Sequence, residues 1–201
     1  MKIHSLILLL SVLLGLTFQS IAQSDSLKIE KKKKPLMIRG YVAGVYESAP
    51  VSTDRTNSFG VQAAVILKKH FQVGFYGLNF SSKEYRRQLI FPNTFQMNYK
   101  HAGILVGYRT SLEKNIEFNL VSKYGFGEVK WDQVETGYQF LADKFRMFHL
   151  QASADYLVTK LIAVNAFMGY RWMQDLDITG LTNESYTGLY YGLAIKVGVF
   201  K

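Results

Sequence analysis

The sequence predicts an all-β fold, an eight-stranded antiparallel up-and-down transmembrane β-barrel. Three observations carry that expectation. Eight segments alternate between apolar and polar residues, their connections run long, short, long, short, and their polar faces hold mainly small and amide side chains.

The N-terminal stretch reads as an export signal. Lys2 supplies a positive start, Leu6 to Phe18 is an apolar run, and Ser20-Ile21-Ala22 places small residues before a cut after Ala22. The run is shorter than the roughly 20 residues a spanning helix needs. A signal peptide over 1–22 is therefore expected, with a retained anchor as the alternative. The chain has no cysteine, which excludes a lipidated cysteine, disulfides and thiolate metal sites. Residues 23–35 form a polar basic periplasmic linker carrying Lys31-Lys32-Lys33-Lys34. Like charges in a row repel, so this run reads as a solvated tail; contact with anionic headgroups or a periplasmic partner is the other reading. The net charge of +9 includes this run, and the remaining basic residues are scattered rather than striped, so no nucleic-acid partner is expected.

Residues 36–201 are the barrel. Strands are expected at roughly 37–47, 57–67, 71–81, 94–109, 115–130, 140–157, 161–174 and 186–200. The fifth is clearest: Ile116, Phe118, Leu120, Tyr124 and Phe126 oppose Glu117, Asn119, Val121, Lys123 and Gly125. The sixth sets Phe148, Leu150, Ala152, Ala154 and Tyr156 against His149, Gln151, Ser153 and Asp155. The seventh sets Val164, Ala166, Met168, Tyr170 and Trp172 against Asn165, Gly169 and Arg171. The eighth sets Leu189, Tyr191, Leu193, Ile195 and Val197 against Gly188, Gly192, Ala194 and Lys196, and the second sets Phe59, Val61, Ala63 and Val65 against Gly60, Gln62 and Ala64. The first and third are weaker. The fourth loses phase near His101–Gly103, where a bulge is expected.

Long connections fall around 47–55, 82–93, 131–139 and 174–185, and short ones around 68–70, 110–115 and 158–160. An outer-membrane barrel with both ends of its sheet in the periplasm has its long loops first, third, fifth and seventh. A soluble barrel would show water a charged, bulky outer face. Here the polar faces suit the crowded interior of an eight-stranded barrel, so the apolar faces are assigned to lipid. Phe95, Tyr99, Tyr108, Tyr124, Phe126, Tyr156, Tyr170 and Trp172 are expected near the lipid–water boundary. Strands in lipid cannot leave edge groups unpaired, so the first and last must meet.

Near the C-terminus, Tyr170-Arg171-Trp172, Asp175-Leu176-Asp177, Gly180-Leu181-Thr182-Asn183 and Gly192-Leu193-Ala194-Ile195-Lys196-Val197-Gly198 follow one another in that order. In these the chain resembles the small outer-membrane β-barrel proteins common in Bacteroidota, barrels of the OmpX and OmpA kind. The resemblance is specific over the last forty residues or so and general elsewhere. It implies an outer-membrane location and an eight-stranded barrel, and it assigns no particular task. Such barrels often end on an aromatic residue read by the insertion machinery; here Phe200 is followed by Lys201.

The interior is expected to be plugged, with Lys100, Glu117, Lys123, Asp155, Arg171 and Lys196 as a lumen charge network in which Glu117 and Asp155 bond to basic neighbours. The loop residues Tyr85, Arg86, Arg87, Trp131 and Tyr138 mix aromatic and charged groups and are the binding candidates. No catalytic residue is assigned. His149, Ser153 and Asp155 share one strand face, but residues four apart on a strand lie about 13 Å apart, whereas a working Ser–His pair needs about 3 Å. His101 has no serine motif beside it, and His70 sits in a short turn. No metal or other cofactor is expected; Asp175, Asp177, Asn183 and Glu184 could form at most a weak Ca²⁺ site, and a solvated loop is the simpler reading. Expected partners are outer-membrane lipid, the insertion machinery at the C-terminal strand, and an extracellular or envelope protein. A non-enzymatic structural, adhesive or envelope-assembly role is favoured over a lipid-modifying enzyme or a narrow channel.

Overall fold

Strands that alternate over their whole length leave two edges, and here the edges find each other. A computed structural model describes residues 39–51, 54–90, 93–178 and 181–200, except for the side chains of 54, 81–90, 93–94 and 140. The barrel strands are β1 Arg39–Val51, β2 Asp54–Leu67, β3 Phe71–Ile90, β4 Asn93–Ser111, β5 Ile116–Gln133, β6 Gln139–Leu157, β7 Ile162–Gln174 and β10 Gly188–Val199. Each is antiparallel to its neighbours, in the closed order β1-β10-β7-β6-β5-β4-β3-β2. Pairing of β1 with β10, from Gly40↔Val199 to Ser48↔Tyr191, closes the ring and satisfies both edges. The expected signal peptide and the Lys31–Lys34 run lie outside the described residues, as does Lys201.

Three tight turns define one end. Between β2 and β3, Lys68 and Lys69 adopt φ of 48° and 70°, and His70 N–H donates to the Leu67 carbonyl at 3.2 Å. Both central residues are thus left-handed, the arrangement that matches the twist of a two-residue hairpin. The other two turns close through Leu112 N–H to Ile116 O and Val158 N–H to Ile162 O, each at 3.0 Å.

The opposite end departs from expectation. Much of the first three long connections is strand. β1 runs on to Val51 with β2 starting at Asp54, β3 reaches Ile90 with β4 starting at Asn93, and β5 reaches Gln133 with β6 starting at Gln139. In the β5–β6 turn Gly137 has a φ of 69° and its N–H donates to Gln133 O at 2.8 Å, a left-handed position that favours glycine. The last connection is a loop with elements of its own. It carries the short pair β8 Asp177–Ile178 and β9 Leu181–Thr182, then one helical turn, α1 Asn183–Tyr186.

The reason is an inversion of polarity along the strands. Toward the tight turns, the outward residues are apolar and exposed: Phe75 is 70% and Ile195 60% accessible, and Val61, Val106, Leu120, Leu150, Met168 and Leu193 join them. Toward the hairpin end, the outward residues turn polar, as with Lys100, Glu128, Lys130 and Lys144, while Phe95, Met97, Tyr99, Val129, Trp131, Phe145 and Met147 point in. The alternation never stops; it changes sign. This corrects two expectations. Phe95 and Tyr99 are buried inside rather than at a lipid boundary. No bulge lies at His101–Gly103, where the β3–β4 and β4–β5 registers run unbroken; irregularities occur instead at Ser81/Arg86, Gln88/Ile90 and Trp131/Asp132.

Two cores result. The lower one includes Tyr41, Ile66, Tyr76, Leu78, Leu105, Val121, Phe167 and Tyr190. The upper one joins the hairpin-end residues to Leu176, Ile178, Leu181 and Tyr186 of the last loop, which folds in as a cap. Two glycines permit the large rings: a Cβ at Gly192 would strike the ring of Phe167, and one at Gly127 the ring of Phe145.

Candidate functional site

The barrel interior is built in layers, and each layer follows from strand register. Nearest the tight turns, Glu117 of β5 lies directly opposite Asp155 of β6. Two carboxylates so placed repel unless each finds a cation. Arg109 of β4 pairs with Glu117, and Lys196 of β10 meets both oxygens of Asp155 at 2.8 and 2.9 Å. Asn119 Nδ2 donates to Asp155 at 3.1 Å, and Asn165 also donates to it. Beside them Gln62 donates to the Tyr41 hydroxyl at 2.7 Å, which donates to Gln72 at 3.1 Å. Both carboxylates of the facing pair thus have a cation, as burial requires.

The middle layer is less saturated. Lys123, His149 and Arg171 face one another in register across β5, β6 and β7. Arg171 reaches Glu47 of β1 at 3.5 Å, and Glu47 is fully buried. The Lys123 ammonium lies 5.3 Å from the Tyr76 ring and 5.6 Å from that of Phe167, within cation–π range. The His101 and His149 rings stack 5.4 Å apart, with Tyr76 edge-on to both and Tyr190 edge-on to His149. Among the described residues, neither ring nitrogen of either histidine has a hydrogen-bond partner.

Above it, Tyr99 is sandwiched between Phe145 at 5.2 Å and Tyr186 at 5.5 Å. Arg171 ties this cap down: Nε donates to the Tyr186 carbonyl and Nη2 to the Pro50 carbonyl, both at 2.6 Å.

Of the expected lumen charges, Glu117, Lys123, Asp155, Arg171 and Lys196 point inward and are buried. Lys100 does not. Its side chain is 65% accessible on the outer face and meets Glu128 at 3.3 Å, because it shares strand parity with Asn98 and Ala102, which face out. Of the loop candidates, Trp131 is fully buried in the upper core, since β5 continues past the expected loop start. Tyr138 sits at the β5–β6 hairpin tip and is 68% exposed. Tyr85, Arg86 and Arg87 fall within β3, but their side chains lie outside the described residues. Sequence reading missed Glu47, Arg109 and the inward position of His101. The signal for Glu47 lies in the sequence: it continues the inward parity of Tyr41, Ala43 and Val45 at the end of the expected first strand.

His149, Ser153 and Asp155 all point inward from β6, but Asp155 is engaged by Lys196 and the asparagines while His149 packs among rings. Asp175, Asn183 and Glu184 of the last loop are engaged in holding the loop itself. Asp175 pairs with Arg146, Asn183 accepts from Leu176 N–H at 3.0 Å, and Glu184 accepts from the Thr182 hydroxyl at 2.7 Å. The Arg146 bond holds the Asp175 carboxyl below the ordinary aspartate range, and the Thr182 bond does the same for Glu184. Among the described residues no three metal-ligating side chains converge.

No protein-family model and no curated protein matches the sequence. Solved structures do. The chain is similar to Neisserial surface protein A, with 11% identity, a TM-score of 0.59, and coverage of 82% of this chain and 97% of that one. It is similar to Ail, the attachment invasion locus protein of Yersinia pestis, in its complex with the heparin analogue sucrose octasulfate, at 9% identity and a TM-score of 0.54, covering 80% and 98%. It is also similar to the N-terminal β-barrel domain of Pseudomonas aeruginosa OprF, at 7% identity and a TM-score of 0.53, covering 80% and 96%. At such identities the likeness is one of fold: the chain has the closed eight-stranded antiparallel architecture of the small outer-membrane β-barrels.

Proposed function

We propose that this protein is an integral outer-membrane β-barrel, exported by residues 1–22, that acts without catalysis as a structural, adhesive or envelope-assembly component through its hairpin end. One observation carries the reading. The tight-turn part of the barrel exposes apolar side chains on every strand and buries charges inside, the reverse of a soluble barrel. Hydrocarbon is the solvent that such a surface fits. The hairpin end has the opposite polarity, apolar inside and charged outside, and so suits water. It stands clear of the belt, capped by the last loop, with Tyr138 exposed at a tip. The C-terminal motifs support kinship with the Bacteroidota barrels.

Buried side chains occupy the interior at every level, which favours a rigid scaffold over a channel. The paired state of Asp155 and the ring contacts of His149 likewise favour a non-catalytic interior. The experiment is expression of the full chain followed by envelope fractionation and gel migration with and without boiling. An outer-membrane band that shifts on boiling supports the reading; a detergent-free soluble monomer contradicts it. Planar-bilayer recording separates scaffold from channel, with no steady current expected.

A further inference from the structure

On the outer face of β3, β4, β5 and β6, register aligns three rows of side chains. The lowest row is Phe75, Ile104, Tyr124 and Phe148. The next is Gly77, Ala102, Phe126 and Arg146. The third is Asn79, Lys100, Glu128 and Lys144. The small Ala102 leaves a notch between bulky neighbours. It is a depression of about 560 Å³ lined by Phe75, Ala102, Ile104, Tyr124 and Phe126, almost wholly apolar.

The notch does not end in lipid-facing surface. It shares Ala102 and Phe126 with a second depression that adds Lys100, Glu128 and Lys144. That one shares Lys100 and Glu128 with a third, polar depression formed with Asn79, Asn98, Lys130 and Asp132. Lys100 lies two residues along β4 from Ala102, about 7 Å at the strand rise. Lys100 and Lys130 divide one carboxylate, Glu128, at 3.3 and 3.1 Å. Asp132 is held by Asn98. The Lys144 ammonium has no ion pair among the described residues. Positive charge is therefore in surplus just above the apolar notch, with amide groups beyond it.

We infer that this groove is a docking site for a phosphorylated, acylated glycolipid of the outer leaflet. One acyl chain fills the notch over Ala102, a phosphate meets Lys100 and Lys144, and sugar hydroxyls meet Asn79, Asn98 and Asp132. The order of chemistries along the strands, hydrocarbon then cation then amide and carboxylate, is the order of such a molecule. A simple phospholipid would use the first two and leave the third empty. The inference rests on the outer-membrane reading and on the hairpin end facing outward.

The test is native mass spectrometry of the detergent-released, folded protein titrated with diphosphoryl lipid A, dephosphorylated lipid A and phosphatidylglycerol. Diphosphoryl lipid A is expected to bind about tenfold more tightly than phosphatidylglycerol, a difference of one decade in Kd. Removing its phosphates is expected to abolish that preference. A Lys100→Glu/Lys144→Glu variant should lose about the same factor, and Ala102→Phe, which fills the notch and keeps the charges, should weaken binding too. Lys160→Glu, in a turn at the far end, should change nothing. Equal binding of diphosphoryl lipid A and phosphatidylglycerol by the wild-type protein overturns the inference, and that comparison needs no variant to fold. Failure of the protein to enter membranes at all is read separately, by fractionation, and sinks the outer-membrane reading itself.

Discussion

Arg171 of β7 donates from Nε to the main-chain carbonyl of Tyr186, 2.6 Å away, and so fastens the last loop to the barrel wall. The same guanidinium reaches the Pro50 carbonyl and the Glu47 carboxylate. One side chain thus joins β1, β7 and the cap. Replacing it with methionine leaves Glu47 buried without its cation, a change that costs about 3–5 kcal/mol. Arg171→Lys should rescue little, because a point charge cannot serve three acceptors set around a planar fork. Urea unfolding followed by the boiling-sensitive gel shift measures the loss. Limited proteolysis should show cleavage within 174–187 in both variants and none in the wild type.

The lower layer gives a sharper test, because its partners can be removed together. Lys196→Met strands Asp155 and is expected to cost about 3–5 kcal/mol. Adding Asp155→Leu removes the stranded charge, and the double variant should be more stable than Lys196→Met alone. Equal or greater destabilisation of the double variant would show that the asparagines, not the ammonium, hold Asp155.

Backbone strain at the β2–β3 turn can be relieved. Lys68 and Lys69 both carry positive φ, which costs non-glycine residues about 1–2 kcal/mol each. Changing the pair to Asn-Gly is expected to stabilise the barrel by about 1–2 kcal/mol. An unchanged urea midpoint would mean that the turn is already relaxed.

The cap has a pH dependence whose sign is fixed. Arg146 lowers the Asp175 carboxyl below its ordinary 3.8. A depressed folded-state value contributes stability that is present above 3.8 and is lost as pH falls through the lower folded value. Proteolysis of the 174–187 loop by an acid-active protease should therefore rise below about pH 4. Arg146→Gln should flatten the profile.

The barrel was legible because its apolar and polar faces alternate from Phe59 to Val65 and, Val121 and Ser122 apart, from Ile116 to Phe126. Closure followed from the need to pair edges. What escaped was the height of the sheet. Reading the outward face as always apolar turns Gln96, Asn98 and Lys100 of β4 into the lumen, although it is Phe95, Met97 and Tyr99 that point inward there. The same assumption put Lys100 in the lumen, Trp131 in a loop and a bulge at His101. Parity alone, followed through the change of polarity, places all of them. The cap could not be read this way, because Tyr186 meets Tyr99 only through tertiary folding across 87 positions of chain.

The central claim is that the outward apolar residues touch hydrocarbon, and the lack of any native cysteine makes it directly measurable. Single cysteines at Val61, Leu193 and Ile195, each labelled with bimane in protein reconstituted into vesicles, report the local solvent. Strong quenching by brominated phospholipid with little quenching by aqueous iodide is the predicted result at all three. Quenching by iodide with none by brominated lipid would contradict the account.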